Sequence, residues 1–314
     1  MVRTHRLERA RGALYGQLIG DSLGSLVEFR SAESIQAHYP KGVRQLADGG
    51  TYGLSAGQPT DDSEMALSLA ASLVRQGTFV LEDVAAAYRR WAQSEPFDIG
   101  ITCSSALNRG QKNPESQANG ALMRVSPLGI FGARVLEEDP QGAERLAEWA
   151  RQECSLTHIN PLCMDIQSVY VLTIARIIAT GADRAEALEI LQAEAASYPE
   201  VAALVEAHCE VPPAEYLEHE GWVTIAFGNA VYELASVLRA EESLVRTVGR
   251  GGDTDTNAAI TGALLGAVDG MHAWPSRWVD VIDCFHQNEA SPRPRPREYW
   301  PNHAYALAGQ LLGA

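Results

Sequence analysis

Thr60-Asp61-Asp62-Ser63-Glu64-Met65-Ala66-Leu67-Ser68-Leu69-Ala70-Ala71-Ser72-Leu73 changes character in its middle. Five oxygen-bearing side chains stand together, and Met65, Leu69 and Leu73 then follow at intervals of four, the spacing that lines apolar side chains along one face of an α-helix. The stretch predicts a helix whose first turn is crowded with side-chain oxygens. Outward from it, Val84, Tyr88 and Trp91 mark another helix face, and similar periodicity covers roughly residues 8 to 28, 163 to 180, 184 to 197, 224 to 240, 255 to 269 and 276 to 287, with a last short helix at Ala304 to Leu312. Strand-like alternation is scarce and no repeat recurs, so the expected fold class is all-α. Segments rich in Gly, Asn or Pro (Ala47 to Pro59, Asn108 to Gly120, Gly249 to Gly252) read as loops between helices. None follows an apolar strand, which excludes a Rossmann or P-loop nucleotide site. Pro292 to Pro296 reads as a rigid connector to the final helix.

The chain has 314 residues, 46% of them hydrophobic and 21% charged, enough to bury a core as one domain spanning 1 to 314. Its formal net charge of -15, from 25 Lys and Arg against 40 Asp and Glu, repels phosphate backbones and anionic lipid, so neither nucleic acid nor membrane is an expected partner. The longest apolar segment, Val169 to Ala179, is short for a bilayer span and carries Arg176, which fits a buried core helix better. Met1 to Arg9 is polar and basic without a following signal-type apolar run, and the expected location is the cytoplasm. Five cysteines, at 103, 154, 163, 209 and 284, form no C-x-x-C pair and suit reduced thiols. A monomer is expected.

Two constellations carry the chemistry. The Thr60 to Glu64 cluster opens one helix, and Gly251-Gly252-Asp253-Thr254-Asp255-Thr256 opens another, expected from Asn257 to Ala267, almost two hundred residues later. Each has a local explanation as a helix cap, with Asp61 and Glu64 spaced as a capping box. If the two clusters meet in space, four carboxylates repel one another and require a hard divalent cation. Oxygen ligands without His or Cys point to Mg²⁺ or Mn²⁺ rather than Zn²⁺.

In order along the chain, Gly16-Gln17-Leu18-Ile19-Gly20-Asp21-Ser22-Leu23-Gly24 with Glu28-Phe29, Thr60-Asp61-Asp62, Asp98-Ile99-Gly100, Asn119-Gly120-Ala121-Leu122-Met123-Arg124, Thr157-His158 and Gly251 to Thr256 resemble the signature of the ADP-ribosylglycohydrolases, over about residues 8 to 270. The likeness is strongest to the bacterial branch that activates dinitrogenase reductase. It implies an all-α fold with a binuclear Mg²⁺ centre, Mn²⁺ being possible, held by Thr60, Asp61, Asp62, Asp253, Asp255 and Thr256. It also implies hydrolysis of the N-glycosidic bond between ADP-ribose and arginine in a modified protein, with the ADP-ribosylated protein and ADP-ribose as partners. Asp98 matches the acid–base aspartate of the arginine-directed branch, although by local pattern it could cap a helix from Ile99 to Asn108. Glu28, which reads locally as a solvated glutamate, matches a metal-adjacent or gating residue of relatives that cleave serine-linked ADP-ribose. Gly100, Asn119, Gly120, Met123, His158 and Trp222 take substrate-binding positions: Asn119-Gly120 at the diphosphate, His158 at the ribose and Trp222, where many relatives carry Tyr, stacked on adenine. Read locally, Asn119-Gly120 is a turn, Met123 core filler, His158 a core or loop histidine, Trp222 a packed core residue, and Arg124 the structural partner of a buried acid. The competing functions are hydrolysis of other ADP-ribose linkages, a non-catalytic ADP-ribose-binding or structural role, and an unrelated metal-dependent phosphatase.

Overall fold

Gly12, Gly16, Gly20 and Gly24 recur along one face of the first helix, α1 (Val2–Gly24). In the computed structural model, which describes residues 2–313, that face lies against a helix near the other end of the chain, Thr254–Asp269. A Cβ on Gly16 would fall 2.1 Å from the Gly262 carbonyl oxygen, and one on Gly20 would fall 2.2 Å from that of Ala258. The two backbones touch, and only glycine permits that approach. The contact puts Asp21, next to Gly20, beside Asp255, whose Cα a Cβ on Gly24 would meet at 2.4 Å.

The remaining helices wrap this pair. In chain order they are α2 (Ala32–His38), α3 (Asp61–Gln76), α4 (Leu81–Gln93), α5 (Ile101–Arg109), α6 (Ser126–Glu138), α7 (Gly142–Ser155), α8 (Pro161–Thr180), α9 (Arg184–Ala195), α10 (Pro199–His208), α11 (Val223–Ala235) and α12 (Ala240–Val248). The Thr254–Asp269 helix is α13, followed by α14 (Ser276–Asp283) and α15 (Ala304–Leu311). One connected hydrophobic core runs from Ala10 to Leu311. The all-α expectation holds, and every expected helix is present; α2, α6, α7, α10 and α12 add to them. Three ends are earlier than the periodicity suggested by four or five residues: α1 stops at Gly24, α11 at Ala235 and α14 at Asp283. α8 is long and apolar enough to cross a membrane by composition, yet 72% of that stretch is buried inside the protein, as a core helix requires.

The only strands among the described residues are two-residue pieces, β1 (Arg30–Ser31) and β2 (Gly251–Gly252), paired antiparallel with Arg30 opposite Gly252. The pairing fixes the segment after α1, which carries Glu28, to the segment that leads into α13. Gly252 has φ 71°, and a Cβ there would sit 1.8 Å from the Tyr216 carbonyl oxygen, so both conformation and space demand glycine.

Candidate metal and substrate site

The first two residues of α3 are Asp61 and Asp62, and the N-cap position is Thr60, whose hydroxyl donates to Asp62 Oδ2 at 2.9 Å rather than accepting from the helix. The cap comes from elsewhere. Asp21 on α1 accepts from the backbone N–H of Thr60 and of Ser63, each at 3.1 Å, and so satisfies two of the open amides at the start of α3. The capping box expected of Asp61 and Glu64 is therefore absent. Asp61 accepts instead from Gly100 N at 3.2 Å, and Glu64 turns to Arg295 and Trp91. A true capping box, Asp183 with Glu186, opens α9.

α13 begins at Thr254, one residue before the start that periodicity gives and three before Asn257, with Asp253 at the N-cap and no side-chain cap bond. Asp253 accepts from Asn119 Nδ2 at 2.6 Å, and Asp255 Oδ1 accepts from the N–H of Thr256 at 2.9 Å. Thr256 Oγ1 lies 3.4 Å from Asp62 Oδ2, so the two oxygen-rich helix starts meet. Asp21, Asp62 and Asp255 offer carboxylate oxygens within 4.8 Å of one another, and Glu28, Asp98 and Asp255 do the same. Asp255 belongs to both groups.

Asp98 does not cap a helix. α5 starts at Ile101 with Gly100 as N-cap, and the half-buried Asp98 carboxyl instead lies beside Tyr52 and Asp61, with an oxygen within 4.8 Å of those of Glu28 and Asp255. Glu28 is buried rather than solvated, because the chain turns at Phe29 (φ 65°), whose N–H donates to Gly252 O at 2.8 Å, and folds the glutamate inward.

Burial pushes the carboxyls of Asp21, Glu28, Asp61, Asp62 and Asp255 upward, and neighbouring carboxylates add to it at all of them but Asp21. Burial first and Asp98 next raise Glu28 to about 10, burial raises Asp21 to about 7, and Asp61, Asp62 and Asp255 are raised well above the usual carboxylate range. Glu28 Oε2 and Asp62 Oδ1 are buried without a hydrogen-bond partner. No Lys or Arg lines the adjoining cleft, a cavity of about 560 Å³ bordered by Glu28, Asp61, Asp98, Glu220, Asp253 and Asp255. Converging oxygen donors with buried lone pairs left over suit a hard divalent cation, so the chemistry of the site fits the ion expected from sequence.

The same cleft is lined by Gly100, Asn119, Gly120, Met123, His158, Trp222 and Thr256. His158 is fully buried; burial, and then the Arg124 charge, lower its pKa to about 3, so the ring is neutral. Nδ1 pairs with the Thr157 hydroxyl at 2.8 Å, and Nε2 is without a partner. Gly120 is needed for closeness rather than for unusual backbone angles: a Cβ there would meet Cys103 Sγ at 3.0 Å and His158 Cε1 at 3.2 Å. The Asn119 N–H donates to Gly221 O at 2.9 Å and is thereby spent within the protein. Trp222 is 39% exposed, so it is not core, and its ring stacks on His219 at 4.0 Å. Arg124 is structural as read from sequence, fully buried against Glu153 with Nε to Oε1 at 2.6 Å.

Sequence reading assigned no role to Asp21, Gln17 or Tyr52. Gln17 donates to the Met123 carbonyl at 2.9 Å and so joins α1 to the substrate loop. The available signal was their position: Gln17 and Asp21 are polar residues four apart in the second half of α1, from Gly12 onward, which is otherwise glycine-rich and mostly apolar, and both are buried.

Comparison with known proteins agrees with this geometry. The ADP-ribosylglycohydrolase family model matches residues 2–297. The ADP-ribosyl-[dinitrogen reductase] glycohydrolase of Rhodospirillum rubrum is 30% identical over 286 residues, covering 88% of this chain and 90% of that protein. The ADP-ribosylarginine hydrolase Tri1 of Pseudomonas putida is 26% identical over 98% of this chain and 78% of its own. Among solved structures, one described as an ADP-ribosylglycohydrolase-related protein complex superposes with a TM-score of 0.79 at 27% identity, covering 99% of each chain. With the match running through α1, both acidic helix starts and the cleft loops, the chain belongs to the ADP-ribosylglycohydrolase family.

Proposed function

We propose that this protein hydrolyses the N-glycosidic bond joining ADP-ribose to arginine side chains of proteins, reversing the modification as a cytoplasmic monomer. The observation that carries the reading is the place of Asp98: a half-buried carboxyl with an oxygen within 4.8 Å of those of Glu28 and Asp255, at the edge of an acidic cluster whose cleft is lined by no Arg or Lys. The names of the Rhodospirillum and Pseudomonas relatives support the arginine linkage. Thr60, Asp61, Asp62, Asp253, Asp255 and Thr256 would hold two Mg²⁺ ions, or Mn²⁺. When bound, such a pair supplies positive charge that orients ribose hydroxyls and acidifies water.

The chain's own groups account for the remaining steps. Asp98 accepts a proton from the water that adds to the anomeric carbon, while the C–N bond breaks with its electron pair leaving on the guanidine nitrogen, where a proton is returned. The ring gains positive character as the bond breaks, and the surrounding carboxylates stabilise it. Neutral His158 offers its free Nε2 to a ribose oxygen, Gly120 lets the diphosphate approach the backbone closely, and the exposed Trp222 offers a face to adenine. Glu28 stands within the same acidic group as Asp98 and Asp255, and this favours serine-linked ADP-ribose as the second reading.

The test is release of ADP-ribose from arginine-modified protein and from serine-modified peptide, with Mg²⁺ or with chelator. Metal-dependent release from arginine, reduced at least about a hundredfold by Asp98→Asn in folded protein, is the expected result. Preference for the serine linkage overturns the arginine assignment, and binding of ADP-ribose without turnover overturns hydrolysis altogether.

A further inference from the structure

Arg295 lies in the proline-rich segment near the C-terminus, far in sequence from the acidic motifs, and it is buried. Its guanidinium spans two elements of the site. On one side Nε donates to Glu64 Oε1 at 2.8 Å and Nη2 donates to Oε2 at 2.7 Å, on the first turn of α3, the helix that begins with Asp61 and Asp62. On the other side Nη1 donates to the Ser94 carbonyl at 2.7 Å and Nη2 to the Ser94 hydroxyl at 2.8 Å. Ser94 is the last residue before Glu95-Pro96-Phe97-Asp98, the short stretch that delivers Asp98 to the cleft.

That stretch is strained where Arg295 grips it. Glu95 has φ 54°, in the left-handed region that a non-glycine residue rarely adopts, and the proline that follows restricts its backbone further. Such a conformation persists where its surroundings over-determine it. Arg295 is itself fixed, its N–H donating to Gln287 Oε1 at 3.0 Å and its carbonyl accepting from Trp300 Nε1 at 2.9 Å. The arm extends to a second loop, since Arg293 donates to the carbonyl of Tyr52, which lies beside Asp98.

We propose that Arg295 is a positioning residue: by tying Glu64 to Ser94, it holds the Asp98 loop in register with the helix that carries Asp61 and Asp62. A planar fork with donors on two edges serves this role, and an ammonium group cannot reach both partners in one geometry. The proposal rests on the hydrolase reading above for its kinetic consequence, and on hydrogen exchange for its structural one.

Arg295→Lys keeps the charge beside Glu64 and loses the fork. In the full chain with saturating Mg²⁺ we expect kcat on arginine-modified protein to fall at least about tenfold, with KM and the Mn²⁺ dissociation constant within about twofold of wild type. Backbone amides of Phe97 to Ile99 should exchange faster, with α8 unaltered. Should Arg295→Lys fold poorly, the pair Arg295→Met with Glu64→Gln removes both charges together, and this protein should be folded and equally slow. Either folded variant with kcat and loop exchange near wild type overturns the proposal, as does a kcat loss accounted for by weakened Mn²⁺ binding. If the wild-type chain is inert on every linkage, the hydrolase reading fails, and loop exchange alone decides whether Arg295 holds the Asp98 loop.

Discussion

Two regions of this protein bury carboxylates on opposite terms. Behind the cleft, Glu153 is fully buried and accepts from Arg124 Nε at 2.6 Å, Tyr88 Oη at 2.5 Å and Gln167 Nε2 at 2.5 Å. Glu233 is held the same way by Arg246 and Arg250, and Glu64 by Arg295. At the cleft floor, Asp21, Glu28, Asp61, Asp62, Asp98 and Asp255 gather with no Arg or Lys among the residues that line the cavity. Burying an ion requires a partner of opposite charge or a shift toward the neutral form. Where the fold needs only stability, the partner is covalently part of the chain. Where the partner is missing, lone pairs on Glu28 and Asp62 are left over, and a cation from solution is what completes the set.

The sharpest way to break this contrast is to delete a built-in cation. Arg124→Met leaves Glu153 buried beside two neutral donors, and removal of one member of a buried pair costs about 3–5 kcal/mol. Urea unfolding of the metal-free protein should show a loss of that size with an unchanged m-value. A loss below about 1 kcal/mol would mean that the paired and unpaired sites do not differ in the way their hydrogen bonds suggest.

The opposite sign is expected at the floor. Asp62→Asn removes one charge from a group with no cation, so the metal-free variant should be at least as stable as wild type. Its defect should appear only with metal: a divalent ion at a hundredfold excess over its dissociation constant stabilises wild type by about 2.7 kcal/mol. Asp62→Asn should lose most of that increment. Thermal unfolding with and without Mn²⁺ reads both effects, and a variant destabilised without metal would show that the charge of Asp62 is already compensated inside the protein.

How much of this was visible in the sequence follows the same division. The acidic clusters at Thr60 to Glu64 and Asp253 to Thr256 were legible because several side-chain oxygens crowd each helix start. Asp98, His158 and Trp222 were named through family resemblance, and local pattern alone pointed elsewhere: Asp98 to a helix cap it does not form, Trp222 to a core it does not enter. The capping box expected of Asp61 and Glu64 was lost to tertiary partners, an arginine 231 residues away and a cap supplied by Asp21 on another helix. Spacing rules see only local competition, and such long-range partners leave no trace in them. The glycine stripe of α1 was hidden for a different reason. Periodicity counts apolar side chains, and at Gly16 and Gly262 it is the lack of one that brings the helices together.

The smallest effect tests the comparison through protons. Burial raises Asp21 to about 7, and burial with like charge raises Glu28 to about 10, while the same groups in the unfolded chain titrate near about 4. Between those limits the folded, metal-free protein holds more protons than the unfolded chain, so its stability must fall as pH rises. Folded-state pKa values depressed by pairing would give the reverse slope. From pH 5 to pH 8 in chelator, the decline should be at least about 1.4 kcal/mol, the worth of one pKa unit on one group. Cations compete with those protons for the same oxygens, so the stabilisation conferred by a fixed Mn²⁺ concentration should grow over the same range. Asp62→Asn should flatten the chelator profile. If stability instead rises from pH 5 to pH 8 without metal, the floor carboxylates are already compensated within the protein, and the distinction between the two regions fails at its physical root.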